Sequence, residues 1–197
     1  MTDKLKYEQD GHVVTLTLNQ PDTMNAITDP DMVQGLVDTM TRLTQDNSVR
    51  CAIITGAGKA FSSGGNLKHM ADKKGLFAGD AITAKDGYKG GIQRMAKAVW
   101  ECEVPLIAAV NGAAFGAGCD LTCMCDIRHA STKAIFAENF VRVGIIPGDG
   151  GAWFLPRQIG LSKAAEMTFT AEPIRADKAL EWGLVSKVCE PDDLLPA

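Results

Sequence analysis

The sequence predicts an α/β fold in which short apolar strands alternate with helices. Three features predict it: a strand–turn–strand pattern near the start, an amphipathic helix after it, and two later strand–glycine turn–helix units. One unit begins at Ala52-Ile53-Ile54-Thr55 and runs through Gly56-Ala57-Gly58 to Leu67. The other begins at Leu106-Ile107-Ala108-Ala109-Val110 and runs through Asn111-Gly112 to Asp120. No fixed-period repeat underlies the order β, α, β, α, β, α, β. The 197 residues suffice for one domain with a sizeable core.

Residues 4–19 read as a β-hairpin. Tyr7, Val13, Val14, Leu16 and Leu18 alternate with polar residues, and Asp10-Gly11 supplies the turn. Residues 30–46 read as a helix, with Pro30 in the first turn after Asp29. Met32, Val33, Leu36, Val37, Met40 and Leu43 form its apolar stripe. A strand at 51–55 follows. Residues 67–103 read as mostly polar helix interrupted by a glycine-containing loop near 75–91. A strand at 105–110 leads through the second glycine turn into a short apolar helix, 117–125. Short strands are expected near 126–130 and 134–137, helices near 152–159, 162–170 and 176–182, and a last strand at 184–188.

Composition excludes several functions. Apolar residues make up 46% and charged residues 22%, as in ordinary soluble domains. A net charge of −4 leaves no basic footprint for nucleic acid. No apolar run reaches the roughly 18 residues of a membrane span, and the first residues lack a hydrophobic signal region. A cytoplasmic protein without membrane attachment is the expectation. Cys51, Cys102, Cys119, Cys123, Cys125 and Cys189 form no C-x-x-C pair, and no histidine stands near Cys119 and Cys123 in sequence. They read as free thiols acting as small hydrophobes, and no metal site is expected.

The glycine turns carry the chemistry. A strand–glycine turn–helix unit presents backbone N–H groups at a helix N-terminus, where they can hold an anion. Two such units facing one point would make an oxyanion hole. Glycines also serve tight turns and close helix packing without any ligand. Neither turn is a P-loop, because Gly58-Lys59 is followed by Ala60 and position 53 is Ile. Neither is a dinucleotide fingerprint, because Phe61 and Leu121 stand where a third glycine belongs.

At these residues the chain resembles the enoyl-CoA hydratase/isomerase, or crotonase, family. Leu16-Thr17-Leu18-Asn19-Gln20-Pro21 with Asn25-Ala26 is similar to its N-terminal signature, and Ala60 through Lys68 to its first oxyanion turn. Pro105 through Gly112 and on to Arg128 is similar to its core strand, second turn and following helix. Gly144 through Gly151 and Ala179 through Val185 match later segments. Five such segments in order cover nearly the whole chain. The resemblance implies a spiral of ββα turns, with residues 1–197 as a single acyl-CoA-binding domain. It also implies a C-terminal helical segment that the sequence does not contain, so a truncated chain or a reduced oligomer interface is expected. Homotrimers, or dimers of trimers, are the implied assembly.

The implied substrate is an acyl-CoA thioester, with coenzyme A entering as part of it and no resident cofactor. By position, the oxyanion donors are the N–H groups of Gly65 and Ala117, the latter in the first turn of its helix. Met24, Ala26, Ser63, Gly65, Asn66, Leu67 and Lys68 are the implied CoA contacts. Lys68, Lys73 and Lys74 are either phosphate partners or a solvated helix face. The first catalytic glutamate of family hydratases falls at Asp120. The second falls twenty residues on, at Phe140, which moves no proton. Glu138 is expected on the wrong side of the local chain. Asp149, in a loop that borders the active site in this family, is paired with Asp120 as acid and base, with Phe140 desolvating a carboxylate. Alternatively, Asp149 caps the helix beginning near Gly151.

The expected function is an enoyl-CoA hydratase/isomerase that stabilises a thioester enolate. The alternatives are a C–C bond or thioester hydrolase of the same family, and a non-catalytic acyl-CoA-binding scaffold. A nucleotide-phosphate-binding protein fits least, since both glycine fingerprints fail.

Overall fold

After an N-terminal hairpin, the middle of the chain places strands alternately in a first sheet and a second, and this progression sets the architecture. A computed structural model describes residues 3–196. β1 (Leu5–Asp10) and β2 (Val13–Leu18) form the expected antiparallel hairpin, turned at Gly11 with φ +55°. α1 (Pro30–Gln45) follows, its first turn capped by Asp29, which accepts from the N–H groups of Asp31 and Met32. β3 (Cys51–Gly56) then lies in the first sheet and β4 (Ala60–Ser62) in the second. Helices α2 (Leu67–Ala71), α3 (Ala81–Gly90) and α4 (Ile92–Trp100) lead to the next strand pair. That pair is β5 (Leu106–Val110) and β6 (Ala113–Phe115), followed by α5 (Ala117–Met124). β7 (Ile127–Ser131) and β8 (Ile135–Ala137) repeat the alternation. α6 (Gly151–Ile159), α7 (Leu161–Thr170), β9 (Ile174–Arg175), α8 (Ala176–Glu181) and β10 (Lys187–Cys189) complete the described chain. The first sheet has the order β1-β2-β3-β5-β7-β10, the second β4-β6-β8-β9. This is the expected mixed α/β class.

Apolar burial explains the first sheet. Val14, Leu16, Leu18, Ala52, Ile54, Ala108 and Val110 are buried, and α1 covers them with Met32, Leu36, Met40 and Leu43. Three of the six cysteines, Cys119, Cys123 and Cys125, are buried, and all six are free thiols.

Polar side chains tie consecutive turns together. Buried Asn25 donates from Nδ2 to the carbonyls of Ala57 and Ala60, and its Oδ1 accepts from Gln20 N–H. Asn111 donates to the carbonyls of Gly58 and Ala60, and its Oδ1 accepts from Gly56 N–H. The N-terminal signature and both glycine turns are thereby fastened at one place. Gly112 permits the stacking, since a Cβ there would lie 2.8 Å from the carbonyl carbon of Lys59.

The structure corrects several sequence expectations. The loop expected at 75–91 contains α3, capped by Asp80, which accepts from Thr83 N–H. The last strand begins at Lys187 rather than 184. β4, β6 and β9 were not expected. With two or three residues each, they are too short for an alternating pattern and exist through pairing with neighbouring turns.

Arg128 braces α5 from its C-terminal end. Its guanidinium donates to the carbonyls of Cys125 (2.6 Å), Leu184 (2.7 Å) and Thr122 (3.4 Å), and to Gln158 Oε1 (2.8 Å). A cation at the carbonyl end of a helix satisfies orphan acceptors and suits the dipole. The change Arg128→Met keeps the apolar stem and removes those donors. It is expected to lower unfolding free energy by about 2–4 kcal/mol, because buried carbonyls lose charged partners. Urea titration measures this, and a change within about 0.5 kcal/mol, as at ordinary surface positions, contradicts the bracing role.

Candidate functional site

The two glycine turns meet. A Cβ at Gly64 would lie 2.8 Å from the Ala117 nitrogen and 3.1 Å from that of Gly118, and Gly64 has φ +76°. Gly118 in turn packs on the backbone of Ser62. The Ser62 hydroxyl fixes the first turn, donating to Asn25 O (2.7 Å) and accepting from Gly64 N–H (3.0 Å). Ala117 is the first residue of α5, whose N-cap, Gly116, has φ +51°. Among the described residues, the N–H groups of Gly65 and Ala117 have no hydrogen-bond acceptor. Both residues line one cavity of about 500 Å³.

Met24, Ser63, Asn66, Leu67 and Lys68, the CoA contacts that the resemblance implies, also line this cavity. Ala26 does not; it is buried in the core. Asn66 has a further task, capping α2 by accepting from the N–H groups of Lys68 and His69. Lys74 is engaged with Asp72 at 3.0 Å. Met70, Phe115, Phe140 and Arg142 complete much of the wall, and the Met70 methyl fills the space a Cβ at Gly65 would take.

Behind the N–H pair lie three buried carboxyl groups. Asp120 and Glu138 are completely buried and Asp149 nearly so. No donor reaches either oxygen of Asp120, either oxygen of Glu138 or Oδ1 of Asp149. None forms an ion pair among the described residues. The Asp120 carboxyl lies within hydrogen-bonding reach of both the others. It also sits against Gly151, the first residue of α6, where a Cβ would collide with it.

Carboxylates crowded without counter-cations hold their protons. Burial first, then the charges of Glu138 and Asp149, push Asp120 well above the usual carboxylate range. Burial pushes Glu138 up to about 7. Burial raises Asp149 as well, against the lowering effect of its hydrogen bond with Asp120. An oxygen–oxygen contact between two carboxyls is a hydrogen bond only when one is protonated, and each like-charged pair otherwise costs on the order of 4 kcal/mol at close range.

Two expectations are corrected here. Glu138 was placed on the wrong side of the chain, but it points into the cluster. β8 ends at Ala137 and a 3-10 turn over Asn139–Val143 begins, so residues 138 and 140 do not share a face. Glu138 faces Asp120, while Phe140 lies beside Gly116 on the cavity wall. Asp149 does not cap α6: the N-cap is Gly150, with no side-chain hydrogen bond. Asp149 instead lines a second cavity of about 330 Å³ with Trp100, Trp153 and Phe154. Tyr88 was missed altogether. Its ring would be 3.3 Å from a Cβ on Gly148, and burial and the Asp149 charge raise its hydroxyl pKa. No sequence signal singles out this tyrosine, since nothing local links α3 to the 147–151 loop.

The enoyl-CoA hydratase/isomerase profile matches residues 8–196. The chain belongs to the enoyl-CoA hydratase/isomerase family. It is 37% identical over 191 residues to the short-chain-enoyl-CoA hydratase of Clostridium acetobutylicum, covering 95% of this chain and 69% of that relative. It superposes on enoyl-CoA hydratase from Bacillus anthracis with a TM-score of 0.90 at 31% identity, covering 98% and 73% of the two chains. A monofunctional enoyl-CoA isomerase from M. smegmatis matches with a TM-score of 0.80 at 33% identity, covering 99% and 81%. The family therefore spans both reaction names, and this chain spans about seven to eight tenths of those relatives. No helix among the described residues is long and apolar enough to cross a membrane.

The substitution Gly151→Ala places a methyl where the Asp120 carboxyl sits. It is expected to lower turnover by about 10²-fold, the scale of a one-ångström misplacement, with folding retained by circular dichroism. Undiminished turnover would show that the position of Asp120 is immaterial.

The cluster also sets a pH dependence of stability. Its folded carboxyls bind protons that the unfolded chain has already released. Stability is therefore fullest below the ordinary carboxylate range and falls as pH rises through the raised folded values, about 7 for Glu138. Melting temperature is expected to fall from about pH 5 to about pH 8. A flat or rising profile over that window contradicts the shared-proton arrangement.

Proposed function

We propose that the protein is an acyl-CoA enzyme that forms a thioester enolate and moves protons along the acyl chain. The carrying observation is the pair of unengaged N–H groups, Gly65 and Ala117, converging on one cavity, with the buried Asp120 in the helix that begins at Ala117. The thioester oxygen accepts from both N–H groups, and the α5 dipole adds to the stabilisation of its negative charge. Met24, Ser63, Leu67 and Lys68 receive the CoA portion. Asp120 and Asp149 serve as acid and base: the ionised one removes a proton next to the carbonyl, and the other returns a proton at the far end of the resulting enolate. Phe140, where hydratases of the family hold their second glutamate, favours this isomerase-type transfer over activation of a water. The cavity lined by Trp100, Trp153 and Phe154 takes the apolar end of the acyl group.

A panel of 2-enoyl- and 3-enoyl-CoA thioesters tests this. Isomerised product is expected, with hydrated product pointing instead to water activation, and Asp120→Asn and Asp149→Asn should each lower kcat by about 10²–10⁴-fold, the usual contribution of a general acid or base. Near-wild-type rates remove that residue from the mechanism. Tight binding of the thioesters with no product from the unaltered protein would favour an acyl-CoA-binding scaffold, the reading that Phe140 also supports.

A further inference from the structure

We infer that Glu138 is a positioning residue for the Asp120–Asp149 pair: its carboxyl shares a proton with Asp120 and decides which member of the pair is charged. The inference rests on the proposed acid/base roles, but its geometry stands apart from them. Glu138 is fully buried and both its oxygens lack a donor. A buried carboxylate in that state is costly, and an apolar residue would fill the space without the cost. Its carboxyl is instead turned toward a second carboxyl that also lacks a donor. The two groups satisfy one another through one proton, with the Cys119 thiol a further, weaker donor toward Glu138.

The groups facing Glu138 are few. α5 contributes Asp120, Cys119 and Cys123, and the 147–151 loop contributes Asp149, which Tyr88 of α3 approaches from the other side. The Cys119 thiol is pushed well up, chiefly by Cys123 and burial, so it remains a neutral neighbour. Arg142, on the turn that follows Glu138, is directed to Glu172 at 3.6 Å. With no cation paired to these carboxyls among the described residues, any negative charge on Glu138 acts directly on Asp120. Ionised Glu138 accepts from protonated Asp120 and holds that proton in place, and Asp149 is left as the member that loses its own first. Glu138, two positions before Phe140, thus acts through Asp120 and does not replace the acid absent at Phe140.

The test is Glu138→Gln, which keeps the shape and removes the charge. Isotope-edited infrared spectroscopy of Asp120, read through the C=O stretch of protonated carboxyl across pH, needs no substrate. The Asp120 titration is expected to move down by about one pH unit or more, because the neighbouring charge has gone. In turnover, the alkaline limb of kcat should move down in parallel, with KM little changed. An unmoved Asp120 titration overturns the inference, whatever the turnover. A moved titration in a protein that processes no thioester upholds it and instead defeats the proposed function. The unaltered protein is the control if the variant fails to fold: three carboxyls ionising together near their ordinary values would also overturn the inference.

Discussion

The approach of one backbone to another at Gly64 and Ala117 is the constraint on which the site depends. A side chain at Gly64 would run into the first two nitrogens of α5, so only glycine lets the first turn close on that helix end. Once closed, the N–H of Gly65 and the N–H of Ala117 share a cavity and have no acceptor among the described residues. The contact is held from outside by Asn25, Asn111 and Ser62, whose side chains bond the carbonyl and N–H groups that the tight turns leave over. Polar groups buried beside irregular backbone must be paired, and here that pairing also sets the site geometry.

The same packing that aims α5 at the cavity confines the carboxyls. Every residue of α5 is buried, and Arg128 satisfies its last carbonyls. Asp120 is therefore buried, and it lies against Gly151 because that residue has no side chain. Glu138 and Asp149 arrive from two other turns of the spiral. The low-dielectric surroundings that make an N–H pair effective toward a developing oxyanion also make three adjacent carboxylates intolerable. Proton sharing is the physical resolution, and it makes the group responsive to pH.

Much of this was legible in the residues. The hairpin, α1 and the strands leading into the two glycine turns follow from local periodicity and turn chemistry, and the structure keeps them within a residue or two. Asp120, Asp149, Gly65 and Ala117 were identified by position along the chain. Glu138 was not, because alternation along a strand would place 138 and 140 on one face, and the 3-10 turn after Ala137 breaks that alternation. Ala26 was misjudged for a related reason: it neighbours cavity residues in sequence, but its side chain turns into the core. Tyr88 lay inside a segment read as loop, and a loop reading gives no face to assign.

By itself, the sequence determined which backbone positions could approach closely, since glycine placement and apolar spacing are local properties. It determined the layered α/β class for the same reason, while Gly65 and Ala117 were singled out by the positions they share with the family. Tertiary structure alone decided which carboxyls meet and how dry their surroundings are. Their proton affinities depend on burial and on charges brought together from residues 120, 138 and 149, and neither quantity exists until the turns of the spiral stack.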